Sequence, residues 1–182
     1  MKHHRNNRGF TLVEILVVTA ITVFITGILV ANFARSRVDL NQTALLVTDA
    51  VREAQALALA GSTIGGTNRC GYGIHFLANG YLIYAGPNAN PPTDCSTTDR
   101  NYNVGPDVKV REAFFSNNVI EVVLPAPDIF FEPPDPTTYI GGVNTPPTQT
   151  TIIIRRKGAN CSGQSIDCRK INVTTSGLIQ SQ

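Results

Sequence analysis

The sequence has few of the residues from which catalytic sites are built. It contains three histidines in 182 residues, and only His75 lies beyond the first four positions. No Ser/His/Asp arrangement, nucleophile elbow, phosphate-binding Walker loop or pair of metal-binding histidines can be found. A lone histidine inside a predicted strand is typical of a structural role. We therefore expect that the chain is not an enzyme and holds no cofactor.

The sequence also has no large excess of positive or negative charge. The formal net charge is +2, but Lys2, Arg5 and Arg8 fall in the first nine residues, which contain no acid. Without those three, 12 of the 15 cationic side chains remain against 13 anionic ones. Such a balance gives no overall attraction to nucleic acid or to anionic lipid.

Charge and proline are absent from one long stretch. The run from Ile15 to Ala31 carries no charge, and its only polar residues are Thr19, Thr22 and Thr26. No proline occurs from Phe10 to Ala60, where Gly27 is the only intrinsically weak helix position. The length and hydrophobicity of the run predict a membrane-spanning helix.

A carboxylate stands at the start of this helix. Glu14 is unexpected there, because an ion at the centre of a bilayer costs about 3 kcal/mol even on the most lenient scale. It lies four residues after Phe10, one helical turn away. If the chain were cut between Gly9 and Phe10, the new amine would lie in the same layer as such a carboxylate. In a bundle of these helices, the amine of one copy and the carboxylate of a neighbouring copy could then neutralise each other.

The stretch Arg8-Gly9-Phe10-Thr11-Leu12-Val13-Glu14, with a basic leader before it and an apolar helix after it, resembles the class III signal of type IV prepilins and type II secretion pseudopilins. The resemblance implies cleavage after Gly9 by an inner-membrane prepilin peptidase, N-methylation of Phe10, and packing into a filament with Glu14 facing a neighbour's terminus. The alternatives are a plain secretory signal or a single-pass anchor. The short leader, the lack of an A-x-A site and Glu14 disfavour both.

The leader charges predict the orientation. Positive residues stay in the cytoplasm, so the chain after the spanning segment is expected outside the inner membrane. The expected layout is a leader at 1–9, a spanning and filament-core helix at 10–34, an amphipathic half of the same helix at 35–61, and a globular head at 62–182. The implied partners are the prepilin peptidase and N-methyltransferase, other pilin or pseudopilin subunits, an inner-membrane assembly platform and the lipid bilayer.

The helix is expected to continue beyond the membrane as one element from Phe10 to Ala60. Gly61 supplies the residue typical of a position just past a helix end. Apolar residues recur mostly at spacings of three and four, which predicts a stripe covered by the head: Val38, Ala44, Val47, Val51, Ala54 and Ala58.

All four cysteines fall in the head. An even number in an oxidising compartment favours disulfides, and three pairings are possible. Local pairing of Cys70 with Cys95 and of Cys161 with Cys168 is preferred. A zinc site built from all four thiolates is the alternative, but neither spacing is a CxxC motif.

Alternating hydrophobic residues after Gly61 predict a head made mostly of strands. Tyr72–Leu77 and Tyr81–Tyr84 form a hairpin with Asn79-Gly80 as its turn. The other expected strands are Val108–Phe115, Val119–Leu124, Ile129–Glu132, Thr150–Ile154, Lys170–Val173 and Leu178–Gln180. The stretches 86–105 and 133–149 are typical of irregular loops. The fold class is therefore α+β and pilin-like, with the amphipathic half of the helix over one sheet of an antiparallel head.

The tail carries a looser resemblance. Phe130-Phe131-Glu132-Pro133, the run Ile152-Ile153-Ile154 and the segment from Cys168 to Gly177 look like the C-terminal half of GspH/FimT-type minor pseudopilins. That likeness implies a low-abundance subunit near the tip of a type II secretion pseudopilus or a type IV pilus.

DNA binding is an alternative function. Some FimT-like proteins bind DNA through basic residues after the final Ser-Gly turn, but here Gly177 is followed by Leu178-Ile179-Gln180-Ser181-Gln182. The remaining basic residues would form a patch if their strands pair, although a charge-protected strand edge is the favoured interpretation. They are Arg155, Arg156, Lys157, Arg169 and Lys170.

Two other interpretations concern the loops. Asp94, Asp99 and Asp107 offer carboxylates to a calcium ion, but their spacing is not that of an EF-hand, and no metal is expected. A receptor or adhesion module at a filament tip would use the loops 86–105 and 133–149, and nothing in the sequence ranks that role.

Overall fold

The computed structural model describes residues 11–89, 95–134, 137–145, 149–163 and 165–181, with the backbone alone for 31–36. The chain divides into two compact units, Met1–Val38 and Asp39–Gln182, and each is described by itself. One helix, α1, runs from Leu12 to Leu59 and contributes residues to both. Phe10, where the helix was predicted to begin, lies outside the described residues, and the helix ends one residue before the predicted Ala60.

The part of α1 in the first unit is apolar. Its segment Leu12–Val30 has 19 residues and is long and apolar enough to cross a membrane. None of the segment is buried. Within the part of the chain that the structure describes, no other element covers this hydrophobic surface.

The C-terminal end of α1 is closed by Gly61. The Gly61 N–H donates to the Ala58 carbonyl at 3.0 Å, and the Ser62 N–H donates to the Leu57 carbonyl at 3.2 Å. This pair of bonds is a Schellman motif, which needs a left-handed residue just past the helix. Gly61 has a φ of 57°, so the position that the sequence marks as the stop is the one that terminates the helix.

The part of α1 in the second unit has one buried stripe. Val38 was predicted to begin it, but Val38 is 52% exposed and that part of the prediction is wrong. Leu40 takes its place, because only positions spaced alternately by four and three residues share a single helix face. The stripe contains Leu40, Ala44, Val47, Val51, Ala54 and Ala58, and Thr48 and Ala50 beside it are buried as well.

The described residues of the head form three antiparallel sheets. A small ribbon pairs β1 with β2, a five-stranded sheet has the order β5-β4-β3-β7-β8, and a four-stranded sheet has the order β11-β10-β9-β6. The strands are β1 Thr63–Ile64, β2 Thr67–Asn68, β3 Tyr72–Leu77, β4 Gly80–Ala85, β5 Val108–Phe114, β6 Ile120–Val122, β7 Ile129–Glu132, β8 Thr137–Ile140, β9 Gln149–Arg156, β10 Cys168–Thr174 and β11 Ile179–Ser181.

The β3–β4 hairpin is present, but its turn differs from the predicted one. Leu77 pairs with Gly80, so Ala78 and Asn79 make the turn and Gly80 is already a strand residue. A Cβ at Gly80 would overlap the Ala113 carbonyl oxygen of β5. Glycine is therefore required by the close approach of the neighbouring strand rather than by the turn.

One strand lies in a stretch that was predicted to be irregular. β8 pairs with β7, with Ile140 opposite Ile129. The prolines at 133, 134 and 136 precede it in the sequence. Because proline is typical of loops, this stretch predicts an irregular structure and not a strand. β8 is thus an edge strand of the five-stranded sheet.

A single cluster of buried side chains joins the helix stripe to both larger sheets. Ile74 and Ile83 come from the five-stranded sheet, and Ile152, Ile154 and Ile171 come from the four-stranded sheet. The helix half therefore packs on two sheets, not on one as predicted. The α+β class itself is confirmed.

Candidate functional site

Glu14 lies in the first turn of α1. Its backbone N–H donates to Thr11 Oγ1 at 3.2 Å, which makes Thr11 the residue that caps the helix. The carboxylate is exposed and sits at the positive end of the helix dipole, which stabilises an anion. Sequence reasoning missed the role of Thr11, although the spacing Thr-x-x-Glu is a known capping signature.

The predicted cleavage and methylation residues, Gly9 and Phe10, lie outside the described residues. Among the residues that the structure does describe, no cation forms an ion pair with Glu14. A neighbour's amine as its partner therefore stays a prediction.

The threonines of the apolar segment satisfy their own hydroxyl groups. Thr19 Oγ1 donates to the Leu16 carbonyl at 3.0 Å, and Thr26 Oγ1 donates to the Thr22 carbonyl at 2.6 Å. Thr22 Oγ1 lies within hydrogen-bonding distance of the Val18 and Thr19 carbonyls. Because these donors turn back on their own helix, the segment presents an almost wholly apolar surface, as a lipid-exposed helix must.

Both disulfides join the cysteines that the local pairing predicts. Cys70 is bonded to Cys95, and Cys161 is bonded to Cys168. None of the four thiols is left to bind zinc. The first bond ties the long loop after β4 to Cys70, two residues before β3, and the second closes the connection between β9 and β10.

His75 belongs to a partly buried polar contact that joins the long loop to the five-stranded sheet. Its Nδ1 lies 2.7 Å from Oδ1 of Asp128, and Oδ2 of Asp128 accepts the Tyr102 backbone N–H at 2.7 Å. An ionised carboxylate can only accept hydrogen bonds, so Nδ1 carries the proton. Asp128 is 8% exposed. The arrangement supports the structural role expected for His75.

Arg100 fixes the same loop at a second point. Its guanidinium lies 3.1 Å from Glu132 Oε2 and 4.4 Å from the centre of the Tyr139 ring. It also donates to the Thr98 carbonyl at 2.7 Å. The loop is therefore bound to β7 and β8 through one side chain.

The loop carboxylates bind the loop's own amides. Hydrogen bonds from Asn103 and Asn101 lower the pKa of Asp99. Burial raises the pKa of Asp107, and the negative charges of Asp99 and Asp128 raise it further. Asp94 lies outside the described residues, and no group of side chains within the described ranges has the make-up of a metal site.

The basic residues considered for DNA binding lie on paired strands, but they do not form one patch. Arg155 and Arg156 are consecutive in β9 and so point to opposite faces of the sheet. Arg155 Nε is 2.9 Å from Glu121 Oε1, and Arg156 Nη1 is 3.5 Å from Asp167 Oδ1. Two of the five cations are thus engaged by carboxylates.

Two of the other three cations, Arg169 and Lys170, lie within hydrogen-bonding distance of uncharged oxygen atoms. Arg169 Nε donates to Asn41 Oδ1 at 2.7 Å, and Lys170 Nζ lies 3.5 Å from the Gly163 carbonyl oxygen. Lys157 is exposed. Among the residues that the structure describes, no carboxylate forms an ion pair with any of these three cations.

Comparison with known proteins points to the N-terminal segment. Residues 4–30 match the family described as the prokaryotic N-terminal methylation motif. No curated protein and no solved structure is significantly similar to the chain. The match spans the Gly9-Phe10 junction, Glu14 and the apolar segment, and it implies processing by prepilin peptidase and assembly with other pilins. The chain thus carries the N-terminal signal of the type IV pilin and pseudopilin superfamily.

Proposed function

We propose that the chain is a minor pilin or pseudopilin of the GspH/FimT type, a structural subunit without catalytic activity. Prepilin peptidase cuts it between Gly9 and Phe10 and methylates Phe10. The mature subunit is held in the inner membrane with its head outside the cytoplasm. It is then assembled into a type II secretion pseudopilus or a type IV pilus.

One observation supports the proposal: Glu14 places a carboxylate at the start of the apolar segment Leu12–Val30, and none of that segment is buried in the structure. Hydrocarbon lipid solvates the apolar side chains of Leu12–Val30 while the subunit is stored, and neighbouring helices replace that lipid in the filament. Glu14 is compatible with both states only if an opposite charge meets it. The amine of Phe10 on an adjacent subunit supplies that charge after cleavage.

The test is the incorporation of Glu14 variants into filaments in the native host. We expect Glu14→Ala and Glu14→Gln to be cleaved normally, because Glu14 lies beyond the scissile bond, and to be strongly depleted from sheared filaments. Asp49→Ala is the matched control, since it removes an exposed carboxylate from the same helix outside the apolar segment. Normal incorporation of both Glu14 variants would contradict the proposed pairing.

Processing is tested independently by replacing Gly9. A Gly9→Val variant should retain its leader, because the peptidase signal requires a small residue at the cut. The retained leader leaves no amine beside Glu14, so this variant should also fail to assemble. A Gly9→Val chain that is cleaved normally would remove the prepilin interpretation.

A further inference from the structure

The half of α1 in the second unit carries three carboxylates, and two of them have a cation as partner. Asp49 pairs with Arg52 at 3.5 Å, and Glu53 pairs with Arg111 of β5. Asp39 accepts a hydrogen bond from Asn117 Nδ2 at 2.9 Å. Among the described residues, no cation forms an ion pair with Asp39, so its negative charge is available to another molecule.

Asp39 lines a cleft of about 220 Å³ between α1 and the end of β5. Gln42 and Leu46 of the helix and Phe114 of β5 line the same cleft. Leu46 is 45% exposed and Phe114 is 59% exposed, so two large apolar side chains meet solvent beside the carboxylate. We name these four residues the acidic cleft.

A second cleft of about 320 Å³ lies between α1 and the strands β10 and β11. Asn41, Leu45, Arg169 and Ser181 line it, and we name them the basic cleft. Arg169 faces the helix, because its Nε donates to Asn41 Oδ1 at 2.7 Å. Leu45 is 57% exposed. Within the described ranges, no carboxylate forms an ion pair with Arg169.

The two clefts lie on different flanks of the helix and have opposite charges. At about 100° per residue, Asn41 and Leu45 project roughly 100° or more away from Leu46 and Asp39. Exposed apolar side chains beside polar groups are typical of protein interaction sites. Two acidic clefts placed face to face would bring like charges together, which is unfavourable, whereas an acidic cleft against a basic one joins opposite charges.

We propose that the acidic cleft of one copy of this chain docks on the basic cleft of the next copy. Asp39 then pairs with Arg169 of the neighbouring copy, and Leu46 and Phe114 cover its Leu45. Because the two surfaces differ, the contact is heterologous and repeats from copy to copy, as an open polymer requires. The inference rests on the proposed filament role. It means that copies of this low-abundance subunit lie next to one another in a continuous run.

Cysteine cross-linking of the full chain in the native host tests the contact. All four native cysteines are in disulfides, so introduced cysteines are the only free thiols. A chain that carries both Gln42→Cys and Ser181→Cys should cross-link into a ladder of dimers, trimers and longer species. Each single variant should stay monomeric, and a mixture of the two should stop at dimers.

Gln180→Cys is the matched control for Ser181→Cys. The two residues are consecutive in β11 and both are exposed, but they point to opposite faces of the sheet. Ser181 lies opposite the buried Ile171, and Gln180 lies opposite Asn172. Gln180→Cys combined with Gln42→Cys should therefore give no ladder.

Charge inversion tests the ion pair. Asp39→Arg and Arg169→Asp should each lower the cross-linked fraction several-fold, and both changes in one chain should restore it. Each change also removes a hydrogen bond within the chain, so a merely destabilised head would lose more in the double variant and would not recover. Lys170→Glu, at the next position of β10 and on the other face, should leave the ladder intact.

The outcomes separate this contact from the filament role. If the chain with Gln42→Cys and Ser181→Cys is cleaved after Gly9 and recovered in sheared filaments but stays monomeric, the cleft contact is refuted and the filament role stands. If either single variant cross-links as readily as the pair, the contact is symmetric and the pairing of the two clefts is overturned. If the ladder is replaced by cross-links to a protein of another mass, the neighbour is not a second copy. If the unmodified chain is neither cleaved nor found in filaments, the filament role fails and the inference fails with it.

Discussion

Removing the Asp128 carboxylate should loosen the long loop and destabilise the whole head. Asp128 accepts one bond from His75 and one from the Tyr102 backbone, both at 2.7 Å. A hydrogen bond to a charged group contributes about 1.5 to 3 kcal/mol, so the loss of two such bonds in Asp128→Ala should lower the free energy of unfolding by about 3 to 6 kcal/mol. That is a large share of the total of about 5 to 15 kcal/mol that is typical of a folded domain.

The loss should divide between the two bonds. Asp128→Asn keeps one acceptor oxygen and presents an amide group to the other donor, so it should cost about half as much as Asp128→Ala. His75→Ala removes one of the two bonds, so its loss in the free energy of unfolding should also be about half that of Asp128→Ala. Asp49→Ala removes an exposed carboxylate with a single partner and should cost about 0.5 kcal/mol or less.

The assay is urea denaturation of the full chain in detergent, monitored through the near-ultraviolet circular dichroism of its tyrosines. Hydrogen exchange of the Tyr102 amide gives a local readout, and Asp128→Ala should accelerate it more than it accelerates exchange in β9. The reasoning would be refuted if Asp128→Ala shifted the denaturation midpoint no further than Asp49→Ala does, or left exchange at Tyr102 unchanged.

Two further predictions concern the head. Gly80→Ala should destabilise it by about 1 to 3 kcal/mol, because the new Cβ would press on the Ala113 carbonyl; Gly27→Ala, with open space around it, should leave the denaturation midpoint of the head unchanged. Asp107→Asn should stabilise the head at neutral pH, since burial raises the folded pKa of Asp107, and the gain should fade as the pH drops through that pKa and vanish below the unfolded value near 3.8. Asp99→Asn should do the opposite, because a lowered folded pKa gives stability that is present above 3.8 and lost only as the pH falls through the lowered value. Equal signs for the two variants in denaturation from neutral to acidic pH would contradict this assignment.

Local patterns were sufficient for the elements whose signals are short-range. Gly61 marks the helix end because a left-handed residue is needed there, and the apolar spacing from Ala44 to Ala58 predicts the buried face of the helix. Both disulfides follow from proximity along the chain. The apolar segment and Glu14 are read directly from residue chemistry.

Features that depend on distant partners were not predictable in the same way. The Asn79-Gly80 pair predicts a turn, because nothing in the sequence shows that Ala113 approaches Gly80. β8 becomes a strand by pairing with β7, and its own residues do not demand that. The contact of Asp128 with His75 and Tyr102 joins three segments that are far apart in the chain, so no local spacing reveals it.

The same limit applies to the basic residues. Pairing of their strands was anticipated, but Arg155 and Arg156 are matched by Glu121 and Asp167, which come from other segments.

The mature N-terminus of the protein, measured by mass spectrometry of the N-terminal peptide after extraction from native membranes, tests the central claim most directly. The account predicts a peptide that begins at Phe10 and carries a single added methyl group on its amine. A peptide that still contains Met1, or one that begins beyond Ala31, would show that the apolar segment is a plain anchor or a removed signal, and the filament-subunit account would be wrong.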